Sequence, residues 1–250
     1  MVYQMLKSFL IPILTLLFRP KVTGLRNVPQ NGPVIIASNH LSFSDSIFMP
    51  LVVPRKVTFL AKSEYFTSPG VKGFAKKKTF QALGQVPVDR SGGRRSEAAL
   101  NTGLELLKSG ACIGIYPEGT RSPDGKLYKG RTGIARMALE SGAAVIPVAM
   151  FNTAEIQPTG QVVPKVQQVE MVFGEAMYFE GDSSDLKLLR SITDQIMGAI
   201  GELSGQEYVD MYASEAKVLI AQKIRERIKE ENREKKAVKK ATKKSSKPKE

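Results

Sequence analysis

The sequence predicts an α/β fold: a mainly parallel central sheet flanked by helices, with an N-terminal membrane-interface helix before it and a disordered basic tail after it. Three observations predict this. Short apolar runs rich in β-branched residues recur along the chain, helical patterns separate them, and glycines stand where two of those helices should end. Strands that alternate with helices need crossover connections, and crossovers make neighbouring strands parallel. A chain of 250 residues can bury a full core of this kind.

The elements follow in order. Residues 5–18, MLKSFLIPILTLLF, are mostly apolar. As a helix they reach ~21 Å, short of a hydrocarbon core of ~30 Å. Gln4, Lys7, Ser8 and Thr15 share one stripe, Pro12 bends the helix, and Arg19 and Lys21 follow as cationic anchors. Residues 1–20 therefore read as a helix lying in a membrane interface. A core helix is the competing reading. A signal peptide is the weaker one, since the start is not strongly basic and no A-x-A-like cleavage site follows.

Residues 21–206 form the expected domain. Buried strands are predicted at 33–38 (PVIIAS), 56–61 (KVTFLA), 111–116 (ACIGIY) and 143–150 (AAVIPVAM). Helices are predicted at 69–78, 94–108 and 130–140, the last two closed by Gly110 and Gly142. QQVEMVF, 167–173, alternates polar with apolar and is expected at a sheet edge; 185–203 is a further amphipathic helix. Residues 207–234 read as a charged helix. Residues 235–250, KKAVKKATKKSSKPKE, have too little apolar surface to pack and read as a disordered tail.

Charge is uneven. The net charge is +13, and the stretch from Lys223 onward carries 13 Lys/Arg against 5 Asp/Glu, which places +8 of it there. Such a chain is drawn to polyanions, either an anionic membrane or nucleic acid. The basic patch VKGFAKKKTF, 71–80, interleaves lysines with Phe74 and Phe80; beside a greasy N-terminal helix it suits lipid headgroups better than nucleic acid. The one cysteine, Cys112, lies in an apolar run and reads as a buried core thiol. No P-loop and no GxSxG elbow occurs.

The stretch SNHLSFSD, 38–45, holds His40, the only histidine, and Asp45 five positions later. Five helical steps separate side chains by about 140°, and an odd separation in a strand puts them on opposite faces. The pair meets only if the chain turns between them. PVIIAS should end a strand, and SDSIFMPL should start a helix with Ser44 as its N-cap. His40 then lies in the strand-to-helix loop at the carboxyl edge of the sheet, where ligands bind. Asp45 lies in the first helical turn, where the helix dipole favours its anion. An Asp on one ring nitrogen fixes the tautomer and leaves the other nitrogen to take a proton from a hydroxyl. A lone histidine disfavours a histidine-rich metal site, so no metal is expected. The alternative is a histidine that only satisfies local backbone groups.

Three further blocks follow: QVPVDR (85–90), IYPEGTRS (115–122) and VIPVAM (145–150). With the His40–Asp45 spacing, and in this order, they resemble the glycerolipid acyltransferase family, closest to its 1-acylglycerol-3-phosphate (lysophosphatidic acid) acyltransferases. The resemblance covers roughly residues 21–173. It implies transfer of a fatty acyl chain from acyl-CoA or acyl carrier protein to the hydroxyl of lysophosphatidate, giving phosphatidate. His40 would be the base, Asp45 its orienting anion, and no acyl-enzyme would form. It further implies that Arg90 and Arg121 hold the substrate phosphate through their forked donors. Glu118, Gly119 and Thr120 would line the same substrate site, with Glu118 placing the glycerol part or bracing an arginine, and Lys62 would add a phosphate contact. No cofactor is implied beyond the acyl donor. The expected location is peripheral or monotopic, on the cytoplasmic face of the cell membrane. The alternatives are a family member acting on glycerol 3-phosphate or another lysophospholipid and, more distantly, a non-catalytic basic protein that binds nucleic acid or lipid.

Overall fold

The computed structural model describes residues 11–62, 66, 67, 69, 70, 73, 74, 78, 84–88, 93–158, 160, 161 and 163–245; at 61, 62, 88, 93–96 and 237–245 it describes the backbone alone. Helix α1 spans 11–18. Strands β1 (Lys21–Thr23) and β2 (Val34–Ser38) follow, then α2 (Asp45–Val52), β3 (Val57–Lys62) and β4 (Gln85–Val88). Next come α3 (Gly93–Lys108), β5 (Cys112–Ile115), β6 (Leu127–Tyr128), α4 (Gly133–Ser141) and β7 (Ala144–Phe151). The chain continues through α5 (Thr153–Ile156), β8 (Glu170–Phe173), α6 (Leu186–Ser204), β9 (Tyr208–Val209) and α7 (Ala213–Ser245).

Seven strands form one sheet in the order β1-β8-β7-β2-β5-β3-β4. The five from β7 to β4 run parallel; β8 is antiparallel to β7, and β1 runs parallel to β8. The central strand β2 is buried along its whole length because helices cover both faces. Its alternation divides the core. Val34 and Ile36 face Phe18, Phe48, Met49, Ile146 and Val148, on the side of α1 and α2. Ile35 and Ala37 face Leu107, Ile134, Ile192 and Ile196, on the side of α3, α4 and α6. Each fully buried isoleucine on this strand contributes about 1.5–3 kcal/mol of transfer free energy.

The expected strands at 33–38, 56–61, 111–116 and 143–150 form, as do the helices at 94–108, 130–140 (beginning at Gly133) and 185–203. The helix expected at 69–78 lies largely outside the described residues. Four expectations are corrected. The strand at 167–173 is not at the edge: β1, three residues long and invisible to periodicity, pairs outside it, Lys21 opposite Glu170. QVPV, read only as part of a motif block, is a strand, and Pro87 is tolerated there because β4 is the true edge. Ser44 precedes α2 but makes no capping bond through its side chain. The last helix continues to Ser245, past the expected end at 234. Its Lys, Glu, Arg and Ala content carries strong helix propensity, which favours the backbone ladder.

Two backbone features fix the sheet. Pro147 sits inside β7, between the Val148–Phe173 pair and the Val145–Met177 bridge. Two residues of β7, Ile146 and Pro147, there oppose three, Gly174 to Ala176, so Pro147 lies opposite a bulge, where a missing N–H is tolerated. Gly24 has φ +72, and a Cβ on it would lie 2.0 Å from the Phe173 carbonyl oxygen. Gly24→Ala should lower stability by at least ~2 kcal/mol, from left-handed strain plus the lost β1–β8 contact. Chemical denaturation measures this, and an unchanged midpoint would contradict the close approach.

Candidate active site

Three loops meet at the carboxyl ends of β2, β5 and β7. The loop after β2 carries His40, and α2 then turns the chain so that Asp45 faces back onto it. His40 Nδ1 lies 2.8 Å from Asp45 Oδ2. The same oxygen accepts the backbone N–H groups of Leu41 at 2.8 Å and Ser42 at 2.9 Å. Successive backbone N–H groups of this kind cradle an anion. Asp45 is fully buried. Its other oxygen, Oδ1, meets no donor among the described residues, so the carboxylate is held through Oδ2 alone. An anionic Asp45 requires the proton on Nδ1, which leaves the Nε2 lone pair as the ring's basic position.

The loop is pinned from both sides. Asn39 Oδ1 accepts from Met150 N at 2.8 Å, and its Nδ2 donates to Met150 O at 3.1 Å and to Gln206 Oε1 at 2.7 Å. Ser42 Oγ donates to the Gln157 carbonyl at 2.8 Å and accepts from Ser44 N at 3.3 Å. The two serines are therefore loop fasteners, which is why neither caps α2.

The loop after β5, EGTRS, lies alongside. Ser122 N donates to the His40 carbonyl at 2.7 Å, and Glu118 Oε1 accepts His40 N at 3.1 Å. Glu118 Oε2 accepts Tyr128 N at 3.0 Å. Glu118 is only 1% exposed. Burial pushes its carboxyl up to about 7, against the two amide donors that favour the anion. The carboxylate thus ties the histidine loop to β6. Both of its oxygens are engaged by backbone N–H groups.

Gly119 has φ +75, and what approaches it is a side chain: a Cβ there would lie 2.9 Å from Arg131 Nε. Thr120 Oγ1 accepts a hydrogen bond from Lys217 of α7. The positive charge of Arg121 acts on His40 and lowers its pKa. The structure therefore brings His40, Asp45, Glu118, Gly119, Thr120 and Arg121 together. Arg90 lies outside the described residues, as does the side chain of Lys62, which ends β3.

Sequence reasoning missed two participants. Tyr116 stacks on the His40 ring, with centroids 3.8 Å apart and planes 8° apart. Its hydroxyl is 2.9 Å from Ser46 Oγ in α2, and Phe59 lies 5.5 Å away at 19°. Burial raises the Tyr116 pKa further above its usual value, so the ring stays a neutral phenol. The signal was present as an aromatic ending the β5 run, but nothing local says which ring it covers. Lys217 was the second. It stands in a helix whose sequence reads as a solvated charged face, and only packing turns it inward.

Burial lowers the His40 pKa below 6.5, opposed by the hydrogen bond and charge of Asp45 and assisted by the charges of Arg121 and Lys217. The imidazole is therefore neutral at pH 7 and able to accept a proton. Cys112 is buried, with its thiol pushed up to about 12, and is no nucleophile.

A family profile described as Acyltransferase matches residues 19–151. The chain belongs to that acyltransferase family. A chloroplast 1-acyl-sn-glycerol-3-phosphate acyltransferase of Arabidopsis thaliana is 35% identical over 144 residues, 57% of this chain and 39% of that protein. The chain thus spans less than half the length of that plant relative. A 1-acyl-sn-glycerol-3-phosphate acyltransferase of Bacillus subtilis is 28% identical over 209 residues, 82% of this chain and 98% of that one. Among solved structures, the 1-acyl-sn-glycerophosphate (LPA) acyltransferase PlsC of Thermotoga maritima superposes with a TM-score of 0.61 at 27% identity, covering 80% of this chain and 79% of that one.

Two outcomes are expected at this site. Tyr116→Phe keeps the stacking ring and should retain most activity, whereas Tyr116→Ala frees the imidazole and should lower kcat by about 10-fold or more; steady-state kinetics on the two variants separate ring from hydroxyl. Glu118→Ala leaves two backbone N–H groups without their acceptor and should destabilise by about 2–5 kcal/mol. A folded-state pKa raised from 4.5 to about 7 means that the protonated form is favoured by folding. The contribution is therefore full below about 4.5 and lost as pH rises through about 7. Wild-type stability should decline across that window, and Glu118→Gln should flatten the decline in a pH series of denaturation curves.

Proposed function

We propose that the protein is a 1-acylglycerol-3-phosphate O-acyltransferase. It moves a fatty acyl chain from the thioester of acyl-CoA or acyl carrier protein to the free hydroxyl of 1-acylglycerol 3-phosphate, giving phosphatidate. The observation that carries the reading is the neutral His40 imidazole, oriented by Asp45, beside the Arg121 charge. His40 Nε2 takes the acceptor's hydroxyl proton as its oxygen attacks the thioester carbonyl. The carbon–sulfur bond then breaks, and the thiolate leaves with the proton returned from the imidazolium. The acceptor supplies the nucleophile, so the protein needs no serine or cysteine of its own. Arg121 grips the phosphate, with Arg90 and Lys62 as further cations of that grip. Gly119 and Thr120 form the wall that the headgroup meets, and Glu118 holds that wall to the histidine loop.

The membrane is the source of the acceptor, and α1 supports docking there. Phe18 is buried against Phe48, with ring centroids 4.9 Å apart. Ile13, Leu16 and Leu17 of the same helix are exposed, Leu16 at 78%. One face anchors the helix to the domain and the other offers apolar surface to an acyl boundary. No helix among the described residues is long and apolar enough to cross a membrane. A monotopic enzyme on the cytoplasmic face of the cell membrane, attracted by anionic lipid, fits this arrangement.

An acceptor panel with one acyl-CoA tests the proposal: lysophosphatidate, glycerol 3-phosphate, lysophosphatidylcholine and monoacylglycerol. Lysophosphatidate should be preferred. His40→Ala should lose about 10²-fold or more in kcat, and so should Asp45→Asn, which no longer enforces the tautomer. In Asp45→Asn the charge that raises the His40 pKa is gone, so the acid limb of the residual pH–rate profile should move to lower pH. Full turnover by His40→Ala in a purified assay would overturn the mechanism, and preference for glycerol 3-phosphate would overturn the acceptor.

A further inference from the structure

The segment after α6 lies outside the stretch that defines the family, 19–151, yet it wraps the catalytic loops. Gln206 donates to the Gly125 carbonyl and accepts from Asn39 Nδ2 at 2.7 Å. Strand β9 pairs with β6, Leu127 opposite Tyr208 and Tyr128 opposite Val209. Lys126 and Lys129 pair with Glu207 and Asp210 at 2.6 and 2.7 Å. The start of α7 then packs Ala213 and Ala216 against Tyr128. This is the same Tyr128 whose amide holds Glu118.

That packing fixes the direction of the next turn. Arg131 lies over the Tyr212 ring at 4.9 Å and donates to Ser214 Oγ at 3.2 Å, while its side chain covers Gly119. Lys217, one residue beyond Ala216, reaches Thr120 Oγ1 in the EGTRS loop. The half-buried Lys217 ammonium therefore stands beside the residue that precedes Arg121. It is near enough to His40 and Glu118 that its charge lowers the pKa of both. Lysine offers a compact charge to phosphate where arginine offers a fork.

We infer that Lys217 is a substrate-binding residue: with Arg121, it holds the acceptor's phosphate, so that the C-terminal helix completes the headgroup site that the family core leaves open. This rests on the phosphate-bearing acceptor proposed above. It makes Ala213, Ala216 and the β6–β9 pairing part of the substrate site, since they set where the ammonium stands. It also couples binding to chemistry. The charged groups facing His40 are Asp45, Arg121 and Lys217, and the Glu118 carboxylate takes its backbone N–H. A bound phosphate offsets the two cations and strengthens the imidazole as a base when the acceptor is in place.

The test exploits the single histidine, whose imidazole NMR signals have no competitor in the chain. The full chain in detergent micelles is titrated with pH and then with inorganic phosphate, as wild type, Lys217→Met, Lys217→Arg and Lys223→Met, the last a control farther along α7. In Lys217→Met the His40 pKa should rise, and phosphate affinity should fall by about 10-fold, the worth of a charged hydrogen bond. In turnover, the KM for lysophosphatidate should rise about 10-fold with kcat changed far less. Lys217→Arg should recover most of the loss, and Lys223→Met should behave as wild type. A Lys217→Met protein that binds phosphate and titrates as wild type, or whose KM is unchanged, overturns the inference. Failure of wild type to acylate lysophosphatidate would instead overturn the acceptor assignment, and the phosphate titration would still judge Lys217.

Discussion

The site depends on one constraint: the His40 imidazole is held at one ring nitrogen, across one face and through its backbone. Asp45 takes Nδ1 at 2.8 Å, Tyr116 covers a ring face at 3.8 Å, and both backbone groups of His40 are bonded to the EGTRS loop. A histidine free to rotate about its side-chain torsions spends much of its time misaligned. Here that freedom is removed before substrate arrives, so no ordering is needed at the moment of reaction. The same enclosure lowers the pKa, since a desolvated ring resists charge.

The sheet supplies the frame for this constraint. Strands β2, β5 and β7 are neighbours and parallel, so their carboxyl ends deliver three loops to one edge. Asn39 ties the first loop to the end of β7, and Glu118 ties it to the loop after β5. The buried Glu118 carboxyl group has a structural use that an amide cannot match. It accepts two backbone N–H groups at once, and an amide in its place would turn a donor toward one of them. The family's Glu-Gly-Thr-Arg run therefore combines a brace, a left-handed turn and a cation within four residues.

Positive charge is arranged in two tiers. Near the imidazole, the charges of Arg121 and Lys217 both act on His40. Farther away, α7 carries much of the basic excess of the chain, and its residues 221–236 are exposed. On the proposed reading, long-range attraction to an anionic surface would raise the frequency of encounter, and the inner cations would orient what arrives. On the same reading, the exposed Ile13, Leu16 and Leu17 of α1 would supply the apolar contact that charge alone does not.

Much of this was determined by the sequence by itself. Continuous β-branched runs identify four central strands and the 3.6-residue period identifies most helices, because burial on both faces of a strand and side-chain direction along a helix are written locally. The His40–Asp45 meeting was legible for the same reason, since both lie within one strand–turn–helix unit. The tertiary structure alone decided what crosses long separations: Glu118 to His40 over 78 residues, Lys217 to Thr120 over 97, and Asn39 to Met150 over 111. It also decided that a three-residue strand, too short to show a period, covers β8. Contacts of this kind depend on where packed elements come to rest, and no local spacing encodes that.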